Sequence, residues 1–183
     1  MEDEFVFLMR EEGKISLDKL LITTAPSLNK KIAIFTNIVH RVIALKHLDV
    51  FHRDLKPGNI ILKPNADPSS VAVIDFGCSS DHSADTYSGF VGTRAYMAPE
   101  LFVRDAYLAE PVTIWSLGVL LYFLLFNRYP FYTQHDTIHN PPTWRGEEDV
   151  PTWVLDLAKS MLDKVPTCRP NLMETYGCLA FNA

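Results

Sequence analysis

His52-Arg53-Asp54-Leu55-Lys56-Pro57-Gly58-Asn59 lies between two short apolar runs, and its side chains read as a working set rather than as an ordinary polar turn. Transfer of a phosphoryl group to a hydroxyl requires a carboxylate to orient that hydroxyl and take its proton. It also requires oxygen ligands for Mg²⁺ and a cation close to the transferred group. Asp54, Asn59 and Lys56 offer these three functions in that order.

Two further strings belong with it. Asp75-Phe76-Gly77 begins 21 positions after Asp54, at the end of an apolar run. A carboxylate at a strand end, followed by a glycine that lets the chain turn, can hold Mg²⁺ against phosphate oxygens. Three letters alone carry little; beyond two expected strands after Asp54 they carry much more. Gly92-Thr93-Arg94-Ala95-Tyr96-Met97-Ala98-Pro99-Glu100 is the third string.

The surrounding pattern places these strings. Residues 49–51, 60–62 and 71–74 are apolar runs between polar turns and are expected as strands, with residues 64–70 as a turn. Residues 5–9 give another short strand and residues 10–13 a turn. Leu17, Leu20 and Leu21 suggest a short helix closed at Ala25-Pro26. Ser27 then caps a long helix over residues 28–48, in which Ile32, Phe35, Val39, Val42 and Ile43 recur at helical spacing. Residues 112–126 are apolar nearly all round, the mark of a helix buried on every side. Residues 78–91, rich in serine, are expected as loop, and residues 127–150 as an irregular stretch with one short helix. Trp153, Leu157, Met161 and Leu162 mark a further helix, and residues 170–181 the last.

Composition narrows the class. The chain has 183 residues, 48% of them hydrophobic, enough for one domain with a core, and its net charge of −5 gives no general attraction to nucleic acid or anionic lipid. Three cysteines, Cys78, Cys168 and Cys178, are widely spaced and read as reduced thiols of an intracellular protein, cytoplasmic or nuclear. The first residues have too short an apolar run for a signal peptide. The apolar stretch 117–126 is too short to span a bilayer and is expected as core.

The three strings together resemble the eukaryotic protein-kinase family. H-R-D-L-K-x-x-N matches its catalytic loop, D-F-G its metal-binding loop, and G-T-x-x-Y-M-A-P-E the segment that receives the substrate. The resemblance implies an α+β fold, mainly helical, corresponding to the C-terminal catalytic lobe and covering the chain from about residue 5 onward. It implies serine/threonine specificity, with ATP and Mg²⁺ as cofactors and a protein as substrate. By that resemblance Asp54, Lys56, Asn59 and Thr93 are catalytic, Thr93 bonding to Asp54 and Lys56. Asn59 and Asp75 bind metal. Met9, Arg10 and Glu11 lie in the hinge that contacts adenine, and Ile61 sits beneath it. His52, Arg53, Phe76 and Gly77 shape the loops, and Glu100 pairs with a buried arginine, Arg169. Trp115-Ser116-Leu117-Gly118 matches the W-S-x-G of the central helix, and Phe5-Val6, Gly92-Thr93-Arg94 and residues 114–118 look most like Pim-type kinases. Ser79, Ser80, Ser83, Thr86, Tyr87 and Ser88 are candidates for a phosphate that would recruit Arg53; a plain polar loop is the competing reading.

Two departures bear on function. Thr113 stands where the family usually has an aspartate bracing the catalytic loop, so a hydroxyl is expected to accept one loop hydrogen bond in its place. No Gly-rich phosphate loop, strand lysine or helix glutamate of the N-terminal lobe can be placed; Lys46, in Val42-Ile43-Ala44-Leu45-Lys46, falls in the long helix. The missing lobe is expected to leave an apolar face open near Phe5, Phe7, Leu8 and Phe76. An active kinase lobe and an inactive lobe acting as decoy or scaffold for another kinase therefore both stand. A small-molecule kinase of the aminoglycoside or choline type shares H-x-D-x-x-x-x-N but normally lacks this combination with D-F-G and A-P-E.

Overall fold

A computed structural model of the chain describes residues 14–81 and 86–182. The strand over residues 5–9 and the hinge with Met9, Arg10 and Glu11 lie outside the described residues.

The first helix, α1 (Leu17–Thr24), follows a two-residue strand β1 (Ile15–Ser16) and ends at Ala25 in the left-handed region (φ 39°), just before Pro26. Helix α2 (Leu28–His47) opens where Ser27 Oγ accepts the Lys30 N–H. Its stripe Ile32, Phe35, Val39, Val42 and Ile43 is buried, joined by Ile34 and Ile38. The stripe is wider than the sequence reading because α2 packs on several sides, against the central and last helices and the strands.

Four more short strands carry the catalytic region: β2 (Val50–Phe51), β3 (Ile60–Leu62), β4 (Ala72–Val73) and β5 (Ser80–Asp81). β3 is the middle of an antiparallel three-stranded sheet, with Ile15 opposite Leu62 and Ile60 opposite Val73. β2 pairs with β5. β5 corrects the expectation of unbroken loop over residues 78–91: Ser80 and Asp81 are polar, and the partner strand, not their propensity, makes them extended. Tyr87 also forms a two-bond bridge with Tyr107. Within the expected turn, residues 68–70 make a 3₁₀ turn capped by Asp67.

A four-residue helix α3 (Glu100–Val103) leads to α4 (Ala109–Phe126). α4 starts three residues earlier than its apolar run, since Pro111 falls in the first turn, where a missing N–H costs nothing. At 18 residues and mean hydropathy 1.7 it could cross a membrane by length and composition, yet 72% of it is buried inside the fold. Trp115, Leu117, Leu120 and Tyr122 are fully enclosed, so it serves as the core helix. The remaining helices are α5 (Gln134–His139), α6 (Thr152–Met161) and α7 (Leu172–Phe181). Reciprocal caps begin α5 (Thr133 with Asp136) and α7 (Asn171 with Glu174).

α6 reaches α4 closely at one glycine. A Cβ on Gly118 would lie 2.9 Å from Met161 Cβ and 3.1 Å from Leu162 Cδ2. Gly177, on the exposed face of α7, has nothing within 4 Å of such an atom. Gly118→Ala is therefore expected to destabilise the chain by about 1–3 kcal/mol through overpacking. Gly177→Ala should stabilise it by roughly 0.5–1 kcal/mol through helix propensity. Urea midpoints at unchanged m-value would separate the two; equal shifts would contradict the packing assigned to α4 and α6.

Candidate active site

The loop between β2 and β3 is held by its own side chains. His52 is buried between the loop and the segment after β4: Nε2 lies 3.0 Å from the Ile74 carbonyl, and Nδ1 lies 3.2 Å from the Asp54 N–H. A carbonyl on one side and an N–H on the other require a neutral ring with its proton on Nε2. Burial pushes the His52 pKa down, against the Ile74 carbonyl and the charges of Asp54 and Asp75, which pull it up. The Phe76 ring lies against the imidazole at 5.1 Å.

Thr113 does not take the bracing role expected of it. Its hydroxyl bonds to the Ala109 carbonyl of its own helix at 2.9 Å, the usual outlet for a buried helical threonine. The histidine and Asn59 brace the loop from within. Asn59 Nδ2 donates to the Asp54 carbonyl (2.9 Å) and to Asp54 Oδ2 (3.0 Å).

Asp54 is the centre of the site. It is 6% exposed; Oδ2 accepts from Lys56 Nζ at 2.7 Å, and Oδ1 accepts the Thr93 N–H at 2.8 Å. Burial alone would raise the Asp54 pKa, but hydrogen bonds from Lys56 and Thr93, with the Lys56 charge, outweigh it and hold the carboxyl below the usual range. Lys56 Nζ also donates to Thr93 Oγ1 at 2.8 Å. Thr93 thus meets Asp54 with its backbone N–H, and its hydroxyl accepts from Lys56 beside the same carboxylate.

That closure needs a glycine before Thr93. Gly92 has φ 102°, and a Cβ there would fall 2.2 Å from the Arg53 carbonyl oxygen. Arg53 itself adopts φ 65°, as does Asp75. Non-glycine residues in this region carry strain of order 1 kcal/mol each. Here two of the described residues with positive φ stand in the catalytic loop and in D-F-G.

Asp75 is placed by register. The Ile74 N–H donates to the Asn59 carbonyl at 2.9 Å, continuing the β3–β4 ladder, so Asn59 and Asp75 emerge at the same end of the hairpin. Asp75 is exposed, with Oδ1 accepting the Gly77 N–H at 3.3 Å. Both Asn59 Nδ2 bonds go to Asp54, which leaves Oδ1 as the acceptor of that amide. Two oxygens on one hairpin end, with phosphate oxygens and water completing the shell, suit Mg²⁺, which seldom uses an all-protein cage. Ile61 lies in the centre of β3, opposite Ser16 and Ala72.

Arg53 is already engaged. Nε donates to the Cys78 carbonyl at 2.5 Å and Nη2 to the Ser79 carbonyl at 3.3 Å. Tyr87 is buried, its hydroxyl donating to the Asp81 carbonyl, so of the phosphate candidates it is poorly presented. Ser83 lies outside the described residues. His135, Asp136 and His139 share α5, but Asp136 is committed to its cap, and no trio of metal-ligating side chains occurs among the described residues.

Glu100 and Arg169 meet in the core. Nη1–Oε1 is 2.6 Å and Nη2–Oε2 is 2.7 Å, with the Arg169 side chain fully enclosed and Glu100 4% exposed. Arg169 also donates to the carbonyls of Asp163 (2.8 Å) and Pro111 (2.8 Å). Ser116 Oγ fastens the Tyr96 carbonyl at 3.0 Å, a tether that the W-S-x-G string contained but that only the packing displays.

With this geometry in place, the comparisons agree. The protein kinase domain family matches residues 2–177, and the chain belongs to that family. Among its relatives, calcium/calmodulin-dependent protein kinase type II of Caenorhabditis briggsae is 36% identical over 126 residues, 66% of this chain and 24% of that protein. Serine/threonine-protein kinase PSK1 of Saccharomyces cerevisiae is 31% identical over 139 residues, 76% of this chain and 10% of the relative. Calcium/calmodulin-dependent protein kinase type 1 of C. briggsae is 28% identical over 180 residues, 95% of this chain and 50% of the relative. The chain thus spans half or less of the length of these relatives.

Glu100→Ala leaves a guanidinium buried without its counter-charge and is expected to cost ~3–5 kcal/mol. The paired change Glu100→Leu with Arg169→Met should cost less than the sum of the single changes, read from chemical denaturation. For His52 the folded pKa lies below the unfolded one, so its contribution to stability is complete above about pH 6.5 and is lost as pH falls through the folded value. Stability of the wild type should fall between pH 7 and pH 5 with a component, at most ~1.4 kcal/mol per pH unit, that His52→Gln removes. Parallel curves for the two proteins would contradict the neutral, buried ring.

Proposed function

We propose that this chain is the catalytic lobe of a protein serine/threonine kinase, moving the γ-phosphoryl group of ATP to a serine or threonine hydroxyl of a protein. Residues 1–183 form that lobe in this reading, with residues 5–13 as the strand and hinge leading into it. The carrying observation is the closed set Asp54–Lys56–Thr93–Asn59, with Asp75 delivered beside it by the β3–β4 register.

Each side chain has a task that its geometry suits. Asp54, held ionised, accepts the hydrogen bond of the incoming hydroxyl and aligns it; its proton ends on that carboxylate or leaves to water. Lys56, within reach of both Asp54 and Thr93, presents positive charge where the transferred group passes. Asn59 Oδ1 and the Asp75 carboxylate would hold Mg²⁺, which when bound neutralises charge on the phosphates. Thr93 fixes the segment that accepts the peptide against the catalytic carboxylate, a hydroxyl-bearing residue in the place associated with serine/threonine acceptors. Three free cysteines accord with an intracellular setting.

A second reading, a lobe that binds another kinase or its substrate without catalysis, draws on a different observation. A groove of about 400 Å³ runs between α2 and β4, lined by Leu45, Leu48, Val71 and Val73 with Lys14 and Arg41 at its edge, and Leu48 is 69% exposed. This is an apolar surface suited to a partner.

Calorimetry of the chain with Mg²⁺-ATP separates the two. The kinase reading expects weak binding that Asp75→Asn abolishes. It also expects Asp54→Asn, in protein shown to phosphorylate a peptide, to lower kcat roughly 10²–10⁴-fold. Binding unaffected by Asp75→Asn, or none, favours the binding module.

A further inference from the structure

Lys164 sits where four elements meet, and neither the catalytic motifs nor the core needs a lysine there. Its ammonium nitrogen lies 3.7 Å from the centre of the Phe131 ring and 4.9 Å from that of Trp115; the two rings are stacked at 5.4 Å and 11°. The same nitrogen donates to the Thr137 carbonyl at 2.6 Å and lies 3.4 Å from the Asp136 carbonyl. Those are carbonyls of α5, a helix of only six residues that could not hold its shape or place alone. At its other end α5 is tied to the peptide-accepting segment: Arg94 Nη2 donates to Gln134 Oε1 at 2.6 Å, and α3 packs on α5. The Arg169 guanidinium also lies against Trp115, 4.9 Å from the ring centre, and is paired with Glu100 at the end of that segment.

We propose that Lys164 is a positioning residue: it fastens α5 to the core and, through Arg94–Gln134, sets the segment from Gly92 to Glu100 in place for the peptide. The first half rests on geometry alone. The second rests on the kinase reading above.

Charged groups surround the amine. Asp163 on its own stretch accepts the Val165 N–H, α5 contributes Asp136, His135 and His139, and Arg169 with Glu100 stands at Trp115. Burial and the Arg169 charge work against the ammonium and Asp136 favours it, as do the two rings and the two carbonyls. The clamp is therefore tested through the chemistry of the side chain.

Hydrogen exchange on the intact chain tests this, followed at the Thr137 and Asn140 amides, which bond to the Thr133 and Asp136 carbonyls. At neutral pH, Lys164→Met should be several-fold less protected there than the wild type. Lys164→Arg, which keeps donors and a cation over the rings, should recover much of the protection. Unchanged α2 amides would show that each variant is folded. Protection in Lys164→Met equal to wild type overturns the clamp. In protein shown to phosphorylate a peptide, Lys164→Met should raise the peptide KM several-fold and leave kcat nearly intact; a fall in kcat at constant KM overturns the positioning role. A wild type without phosphotransfer would overturn the kinase reading instead, and the exchange experiment would still decide the clamp.

Discussion

The buried pair of Glu100 and Arg169 is the constraint on which the other placements depend. A carboxylate and a guanidinium with almost no solvent are tolerable only when every donor finds an acceptor. Arg169 comes close to that condition, placing four of its five N–H groups on the two Glu100 oxygens and two backbone carbonyls. The geometry that satisfies the charges also joins parts of the chain 69 positions apart. It fixes the end of the segment 92–100 against the start of the core helix. With Glu100 fixed and Tyr96 tied to Ser116, the segment before them has little freedom, and Thr93 arrives at Asp54.

The catalytic loop shows the complementary principle, in which local strain is carried for the sake of position. Arg53 and Asp75 both adopt left-handed backbone, and Gly92 approaches the Arg53 carbonyl too closely for any side chain. The compensation is visible in hydrogen bonds: His52 bridges Asp54 and Ile74, and Arg53 holds the Cys78 and Ser79 carbonyls. Through these contacts the two loops restrain each other. With Thr113 turned to its own helix, much of the bracing passes through the imidazole, which needs no charge to do it.

Much of this could be read from the sequence, because its signals are local. Helical spacing gave α2 with its cap at Ser27, and the all-apolar run gave α4. The strings around Asp54, Asp75 and Thr93 identified the family, and Glu100 with Arg169 anticipated an ion pair that the structure contains. What escaped depends on partners distant in the chain. Ser80 and Asp81 are a strand only because β2 lies beside them. The hydroxyl of Thr113 had two possible outlets, and helix geometry selected the nearer. Lys164, in a polar turn, gave no sign of its partners, which lie at positions 115, 131 and 137 and meet only in the fold.

The same distinction separates the chemistry from its control. The reacting groups sit within a few residues of one another in two loops, so a motif can specify them. The surface proposed to present a peptide is assembled from α3, α5, the segment around Arg94 and the turn carrying Lys164, none of which is distinctive alone. Catalytic residues in such a lobe can stay fixed while the contacts that hold α5 vary. Differences in peptide choice among related chains would then arise in how the short helix is fastened, with Asp54 and its donors unaltered. The row from Glu100 through Arg169 and Trp115 to Lys164 gives this chain a direct mechanical link between the two, since one aromatic ring is shared by the cation that anchors the segment and the cation that anchors the helix.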